Sequence, residues 1–128
     1  MRNLRLAMLL FFSPLAVAQQ FNMPKQQWLA NLKPIMSQGF CNGAGSPFKQ
    51  IYKGAAESCI PDVEKLFDFC TTSEPSVVLP DVLVSLPQAN WFGQVMAECI
   101  SAHYQGGAAL ETFRALQRAT TPAKAADR

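Results

Sequence analysis

The sequence predicts an all-α fold, a small bundle of four to five short helices stapled by two disulfides. Three observations support this fold class. Apolar residues recur at three- and four-residue steps, the chain carries an even set of four cysteines, and its N-terminus has the pattern of a secretory signal. An exported domain of this size gains from cross-links, because its core alone contributes little stability.

The first 18 residues have the three parts of a signal peptide. Arg2 and Arg5 form a basic start, LAMLLFFSPLAV is an apolar core too short to span a bilayer comfortably, and Ala16-Val17-Ala18 is a small-residue cleavage site. We therefore expect a mature chain that is not inserted in a membrane and that is periplasmic or secreted.

The mature chain is predicted to be one helical domain, residues 19–120, with a flexible polar tail at 121–128. Loss of the two N-terminal arginines lowers the formal charge from +2 to zero. No Lys/Arg cluster remains to follow a phosphate backbone, so nucleic-acid binding is disfavoured. We expect partners to be recognised by shape and apolar contact.

The helical pattern begins after Pro24 and covers 25–40, where Pro34 is expected to kink or split the helix. Ser46-Pro47 then opens a short helix predicted to extend to about residue 58, and a third helix is predicted at about 61–70. Acidic residues in its first turn suit the helix dipole.

Residues 71–87 contain three prolines and form the least helical stretch. A strand there would lack a partner, so we predict an extended apolar connection packed across the bundle. The next helix, at 88–104, is the predicted centre of the core, and Gly106-Gly107 separates it from a last helix at 108–119. Its apolar face has helical spacing throughout: Trp91, Phe92, Val95, Met96, Cys99, Ile100, His103 and Tyr104.

The four cysteines are expected to form two disulfides. Cys59 and Cys70 lie about 16 Å apart along one helix, beyond the roughly 7 Å that a disulfide allows, so they do not pair with each other. In an up-and-down bundle the end of the first helix lies beside the end of the third. We therefore prefer Cys41–Cys70 with Cys59–Cys99, and the alternative is Cys41–Cys59 with Cys70–Cys99.

Neither a metal nor a catalytic site is predicted. The cysteine gaps lack the paired spacing of zinc sites, although His103 follows Cys99 by four residues. His103 is the only histidine; Ser101 and Tyr104 are its nearest candidate nucleophiles, and Glu98 lies on another side of the helix. A histidine beside tyrosine near a helix C-terminus is more typical of packing, so we predict no enzyme and no cofactor.

The cysteine region resembles a group of small, uncharacterised exported helical proteins of proteobacteria. The resembling residues are Phe40-Cys41, Phe48 and Tyr52 before Cys59, then Cys70, a Pro-rich link, and Trp91 before Cys99 with Tyr104 after it. Ile51 stands where that group would have another cysteine. The resemblance implies a periplasmic or secreted helical protein. Through Cys59-Ile60-Pro61 the chain is also similar, more faintly, to periplasmic immunity proteins that block cell-wall-degrading enzymes.

The predicted function is that of a non-enzymatic, exported protein-binding module. Its partner would be another exported or envelope protein, and its role that of an immunity-type inhibitor or an accessory or secreted factor of a bacterial envelope system. The alternative is a carrier of a small apolar ligand or lipid. The predicted partner surface is the proline-bounded apolar link, specifically Val77, Val78, Leu79, Val82, Leu83 and Leu86.

Overall fold

The computed structural model describes residues 21–119, and the predicted signal peptide and tail lie outside the described residues. The fold is all-α, as predicted. Its elements, in chain order, are β1 (Met23–Pro24), α1 (Lys25–Asn42), α2 (Pro47–Ile51), a 3₁₀ turn (Ala56–Ser58), α3 (Cys59–Thr72), β2 (Val82–Leu83), α4 (Leu86–Gln105) and α5 (Gly107–Ala119).

The core lies where α3 packs between α1 and α4, and α5 covers another side of α4. Its fully buried side chains include Val63 of α3 and Met96 and Ile100 of α4. The predicted central helix is thus confirmed as α4. Ser85 caps this helix by accepting a hydrogen bond from the Gln88 backbone N–H at 3.2 Å.

Two left-handed glycines join α4 to α5. Gly106 and Gly107 have φ values of 66° and 51°, a backbone region that side chains disfavour. The chain can therefore reverse at once, and the last helix begins one residue earlier than predicted.

Helix α1 runs through Pro34 without a break, so the predicted split is wrong. Proline removes one backbone hydrogen bond from a helix interior. The helix continues because both halves bury residues: Trp28 before the proline is 6% exposed and Ser37 after it is 1% exposed. An ion pair between Lys33 Nζ and Asp68 Oδ1, at 3.0 Å, also holds this part of α1 to α3.

The second helix is much shorter than predicted, because the residues that would extend it form hydrogen bonds with distant parts of the chain instead. It ends at Ile51, and the Lys53 backbone N–H donates to the Tyr104 hydroxyl at 2.7 Å instead of continuing the helix. The Tyr52 hydroxyl donates to Asp62 Oδ2 at 2.6 Å. Only the 3₁₀ turn at Ala56–Ser58 remains of the predicted second half.

The preferred disulfide pairing is wrong, and the alternative is observed. Cys41 is bonded to Cys59 with Cα atoms 5.8 Å apart, and Cys70 to Cys99 with Cα atoms 5.9 Å apart. The error follows from α2: with so short a second helix, α3 becomes the direct antiparallel neighbour of α1. The start of α3, not its end, therefore lies beside the end of α1.

The apolar link forms a small strand after all, because its partner is the short stretch just before the first helix. Val82–Leu83 pairs antiparallel with Met23–Pro24, in the register Met23 opposite Leu83. The Lys25 N–H also donates to the Asp81 carbonyl at 2.8 Å. This pairing fixes the link across the start of α1. Within residues 21–119, no helix has both the length and the apolar character needed to cross a membrane.

Candidate functional site

An open groove lies between α1 and α4. It has a volume of about 780 Å³, and its lining includes Phe21 and residues of the turn after α1. Its walls include Trp28, Leu32 and Met36 of α1. No charged side chain lines it, so it suits an uncharged, largely apolar occupant.

The floor of this α1/α4 groove is made by small residues. Ala89, Gly93 and Ala97 follow one another at four-residue steps on α4, and Gly39 faces them from α1. A Cβ added at Gly39 or Gly93 would meet nothing within 4 Å. A glycine inside a helix costs roughly 0.5–1 kcal/mol relative to alanine, so Gly39 and Gly93 both lower helix stability. Because neither has a side chain, the groove stays deep at these positions.

Two exposed aliphatic side chains stand at the margins of the groove. Ile35 of α1 is 67% exposed and Leu86, the first residue of α4, is 59% exposed. Single exposed aliphatics are common on protein surfaces. Here both line the same apolar depression, which makes them candidates for burial by a partner.

A second groove adjoins the first on the other side of α4. It lies between α4 and α5, has a volume of about 440 Å³, and shares Phe40, Pro47 and Ala97 with the α1/α4 groove. Phe48 and Phe113 lie at its base. The two depressions therefore meet at Phe40, Pro47 and Ala97.

The fold buries part of the predicted partner surface in the link and leaves the rest exposed. Val77 and Leu83 are buried at 6% and 0% exposure, and Leu79 packs partly against the core. Val78, Val82 and Leu86 are exposed, together with Val84. Of the predicted set, Leu86 also lines the α1/α4 groove, so it joins the two candidate surfaces.

His103 is packed against the loop after α3. Its Nε2 lies 2.8 Å from the Pro75 carbonyl oxygen, and its ring stacks on Phe69 with centroids 6.4 Å apart. Glu98 and Ser101 instead line the groove between α4 and α5. The fold thus places the residues considered for catalysis on different sides of α4.

Three potential metal-binding atoms do meet beside this histidine. The Cys70 and Cys99 sulfurs and a His103 ring nitrogen lie within 4.8 Å of one another. The two sulfurs are bonded to each other, however, and a disulfide has no thiolate to offer a metal.

Two acidic residues of α3 make contacts near the surface. Asp68 pairs with Lys33, and Asp62 accepts the Tyr52 hydroxyl. This hydrogen bond, followed by desolvation and the Asp62 charge, raises the pKa of Tyr52 from 10.0 to about 12. The contact fastens the segment after α2 to the first turn of α3.

The raised pKa predicts a loss of stability in alkali. Because the folded pKa lies above the unfolded one, the stabilisation is complete below pH 10 and is lost as pH rises through about 12. Phenolate absorbance of a Tyr104→Phe variant, in which Tyr52 is the remaining tyrosine, should report this titration. Adding Asp62→Asn should return the titration midpoint of Tyr52 towards 10. A midpoint near 10 in the Tyr104→Phe variant, with Asp62 still present, would contradict the prediction.

The groove was not anticipated from the sequence, although a signal was present. Gly93 interrupts the most strongly apolar helical pattern of the chain, and Gly39 lies near the end of the helix predicted at 25–40. A helix-interior glycine can mark a place where another chain approaches closely.

Comparison with protein families identifies the family of this chain. The family described as T2SS substrate NttA, where T2SS denotes the type II secretion system, matches residues 22–112. No curated protein and no solved structure matches the chain. The matched span covers well over half of the chain and includes both disulfides and almost the whole α1/α4 groove. The chain therefore belongs to the NttA family of type II secretion substrates, a family of exported proteins.

Proposed function

We propose that this protein is a secreted factor that acts by binding, without catalysis. It receives an apolar helix of another exported or envelope protein in the α1/α4 groove. The chain passes through the periplasm, where its disulfides form, and functions after secretion. An immunity-type inhibitor would be one form of such a binder, with an exported enzyme as its partner.

The observation that carries this proposal is the pair of helix-interior glycines opening onto an uncharged groove. Neither Gly39 nor Gly93 is needed to avoid a clash, since an added Cβ would meet open space. Their effect is to lower the groove floor, so that an incoming helix can bring its backbone close to α4. Helix-in-groove recognition uses apolar anchors at three- and four-residue steps, which this floor would accommodate.

A helix fits the groove better than a small apolar ligand for a geometric reason. The two adjoining depressions, of about 780 and 440 Å³, share three lining residues and are both open to solvent. Ligand-carrying cavities usually enclose most of the ligand surface. The exposed Ile35 and Leu86 at the margins would also be covered by a partner that overlies the groove.

Substitutions at Gly93 can test partner binding in a protein that still folds. Gly93→Leu places a side chain in the groove where no atom now lies within 4 Å of the added Cβ, and Gly93→Ala adds only a methyl group. We expect both variants to fold, with the alanine variant more stable by about 0.5–1 kcal/mol in urea unfolding. Immobilised wild-type protein incubated with proteins from the culture medium and cell envelope should retain a discrete partner, and Gly93→Leu should lose it.

Gly93→Ala is the graded comparison, because it raises the groove floor by only one methyl group, so it should reduce capture less than Gly93→Leu does. Equal capture by wild type and Gly93→Leu would refute the groove as the binding site. If the protein is instead a carrier, native mass spectrometry of the purified chain would detect a bound small apolar molecule. The Gly93→Leu variant would then lack that molecule.

A further inference from the structure

The Cys70–Cys99 disulfide and His103 form a cluster that the proposed function does not use. Cys70 lies in the last turn of α3, and Cys99 and His103 lie four residues apart on α4. The two sulfurs and a ring nitrogen are all within 4.8 Å of one another. Two helices thus bring three atoms that can bind metals to one point.

The donor types match one class of cation. Two thiolates with one imidazole are the ligands of open zinc sites, in which water takes the fourth position. Zn²⁺ with two thiolates and a neutral imidazole has no net charge. Such a site can therefore be buried without a further charged partner, which matters because both cysteines are 0% exposed.

One ring nitrogen of the histidine is already held by a backbone carbonyl. Histidines that bind a metal through one ring nitrogen usually donate the other N–H to a carbonyl or carboxylate. Here Nε2 lies 2.8 Å from the Pro75 carbonyl oxygen. When Nε2 carries the proton and donates it there, Nδ1 has a free lone pair.

The surrounding core holds the two cysteines together independently of their bond. Val63 and Phe67 of α3 and Val95 and Met96 of α4 are all buried in the same cluster. Around a tetrahedral Zn²⁺ with bonds of about 2.3 Å the sulfurs would stand roughly 3.8 Å apart. Small rotations of the cysteine side chains would supply that separation while the backbones stay in place.

We propose that reduction of the Cys70–Cys99 disulfide creates a binding site for a thiophilic divalent cation of the Zn²⁺ type. A dithiol reductant supplies two electrons and two protons that convert the disulfide to two thiols, and it becomes a disulfide itself. A phosphine supplies the two electrons and becomes its oxide, while water supplies the two protons and the oxygen. The cation then displaces the two thiol protons and binds both thiolates and His103. A disulfide oxidant that accepts two electrons from the thiolates is reduced to two thiols, re-forms the Cys70–Cys99 bond and releases the cation, so metal binding and the cross-link exclude each other.

Titration of the reduced protein with Co²⁺ tests the proposal, because tetrahedral thiolate coordination gives intense visible absorbance. The Cys41→Ala/Cys59→Ala variant isolates the site, since Cys70 and Cys99 are then its remaining cysteines. After reduction we expect one Co²⁺ per chain, displaced by Zn²⁺, and no binding by the oxidised variant. Far-UV circular dichroism is recorded at each step, since the metal would restore helicity if reduction alone reduced it.

His103→Ala in the same background distinguishes a built site from two free thiols. It should weaken the Co²⁺ affinity at least about tenfold and change the absorbance spectrum. The proposal is overturned if the reduced variant gives no thiolate–Co²⁺ absorbance, if His103→Ala leaves affinity and spectrum unchanged, or if Co²⁺ binds without native helicity.

Discussion

Replacing Cys70 and Cys99 together by alanine is expected to lower the free energy of unfolding by about 3.6 kcal/mol, the loop-entropy value for a closure of this length. The bond closes a loop with a sequence separation of 29 and joins α3 to α4 in the centre of the core. Both residues are 0% exposed, so lost packing adds to the cost. Urea unfolding monitored by circular dichroism measures the change.

The Cys41→Ala/Cys59→Ala variant is the matched control. Its bond closes a shorter loop, with a separation of 18, and Cys41 is only half-buried. We expect a loss of about 3.2 kcal/mol from loop entropy, with less packing lost. A larger loss for this pair than for Cys70 and Cys99 would contradict the placement of the α3–α4 bond at the centre of the core.

Phe48→Ala is expected to cost about 3–5 kcal/mol, a large part of the roughly 5–15 kcal/mol that stabilises a typical domain. Phe48 is 1% exposed and is the buried residue of α2. Its ring lies 5.2 Å from that of Phe40, 5.6 Å from Tyr52 and 5.1 Å from Tyr104, measured between centroids. Loss of this ring removes the anchor of α2 and opens the groove between α4 and α5.

Phe69→Ala provides the comparison for Phe48, with the same chemical change at a surface position. Phe69 is 49% exposed, so we expect a loss of at most about 1 kcal/mol in the same urea experiment. Equal losses at the two positions would contradict the aromatic core around α2.

The sequence was most informative where structure is decided locally. The repeated apolar spacing of residues 88–104 predicts α4, and Gly106-Gly107 predicts its end; both are confirmed within two residues. Family membership likewise confirms the prediction of a small exported protein. The likeness to immunity proteins stays a proposal.

Prediction failed where one distant contact decides the structure. The length of α2 is set by the Lys53 N–H bonding the Tyr104 hydroxyl, 51 residues away in sequence. Local propensity gives no sign of that bond, and the error in α2 reversed the expected position of α3 and hence the disulfide pairing. The strand at Val82–Leu83 was missed for the same reason, since its partner, Met23–Pro24, lies at the other end of the domain sequence.

The candidate groove could not be predicted from the sequence, because it depends on two glycines, which have no side chains, lying on different helices. Periodicity identifies which residues of α4 face inward, but Gly93 opens onto a groove only because α1 stands opposite with Gly39. The link predicted as the partner surface turned out to divide between buried Val77 and Leu83 and exposed Val78 and Val82. Solvent exposure in such a segment depends on the strand pairing, which local patterns do not predict.

Site-specific photo-crosslinking tests the proposed groove most directly. A benzophenone amino acid replaces Gln94, an exposed residue at the edge of the α1/α4 groove, or Lys65, an exposed residue of α3 outside it. The proposal predicts a protein adduct of discrete mass from position 94 in secreted and envelope fractions, absent from position 65 and lost when Gly93→Leu is added. Equal crosslinking from the two positions, or none from position 94, would contradict it.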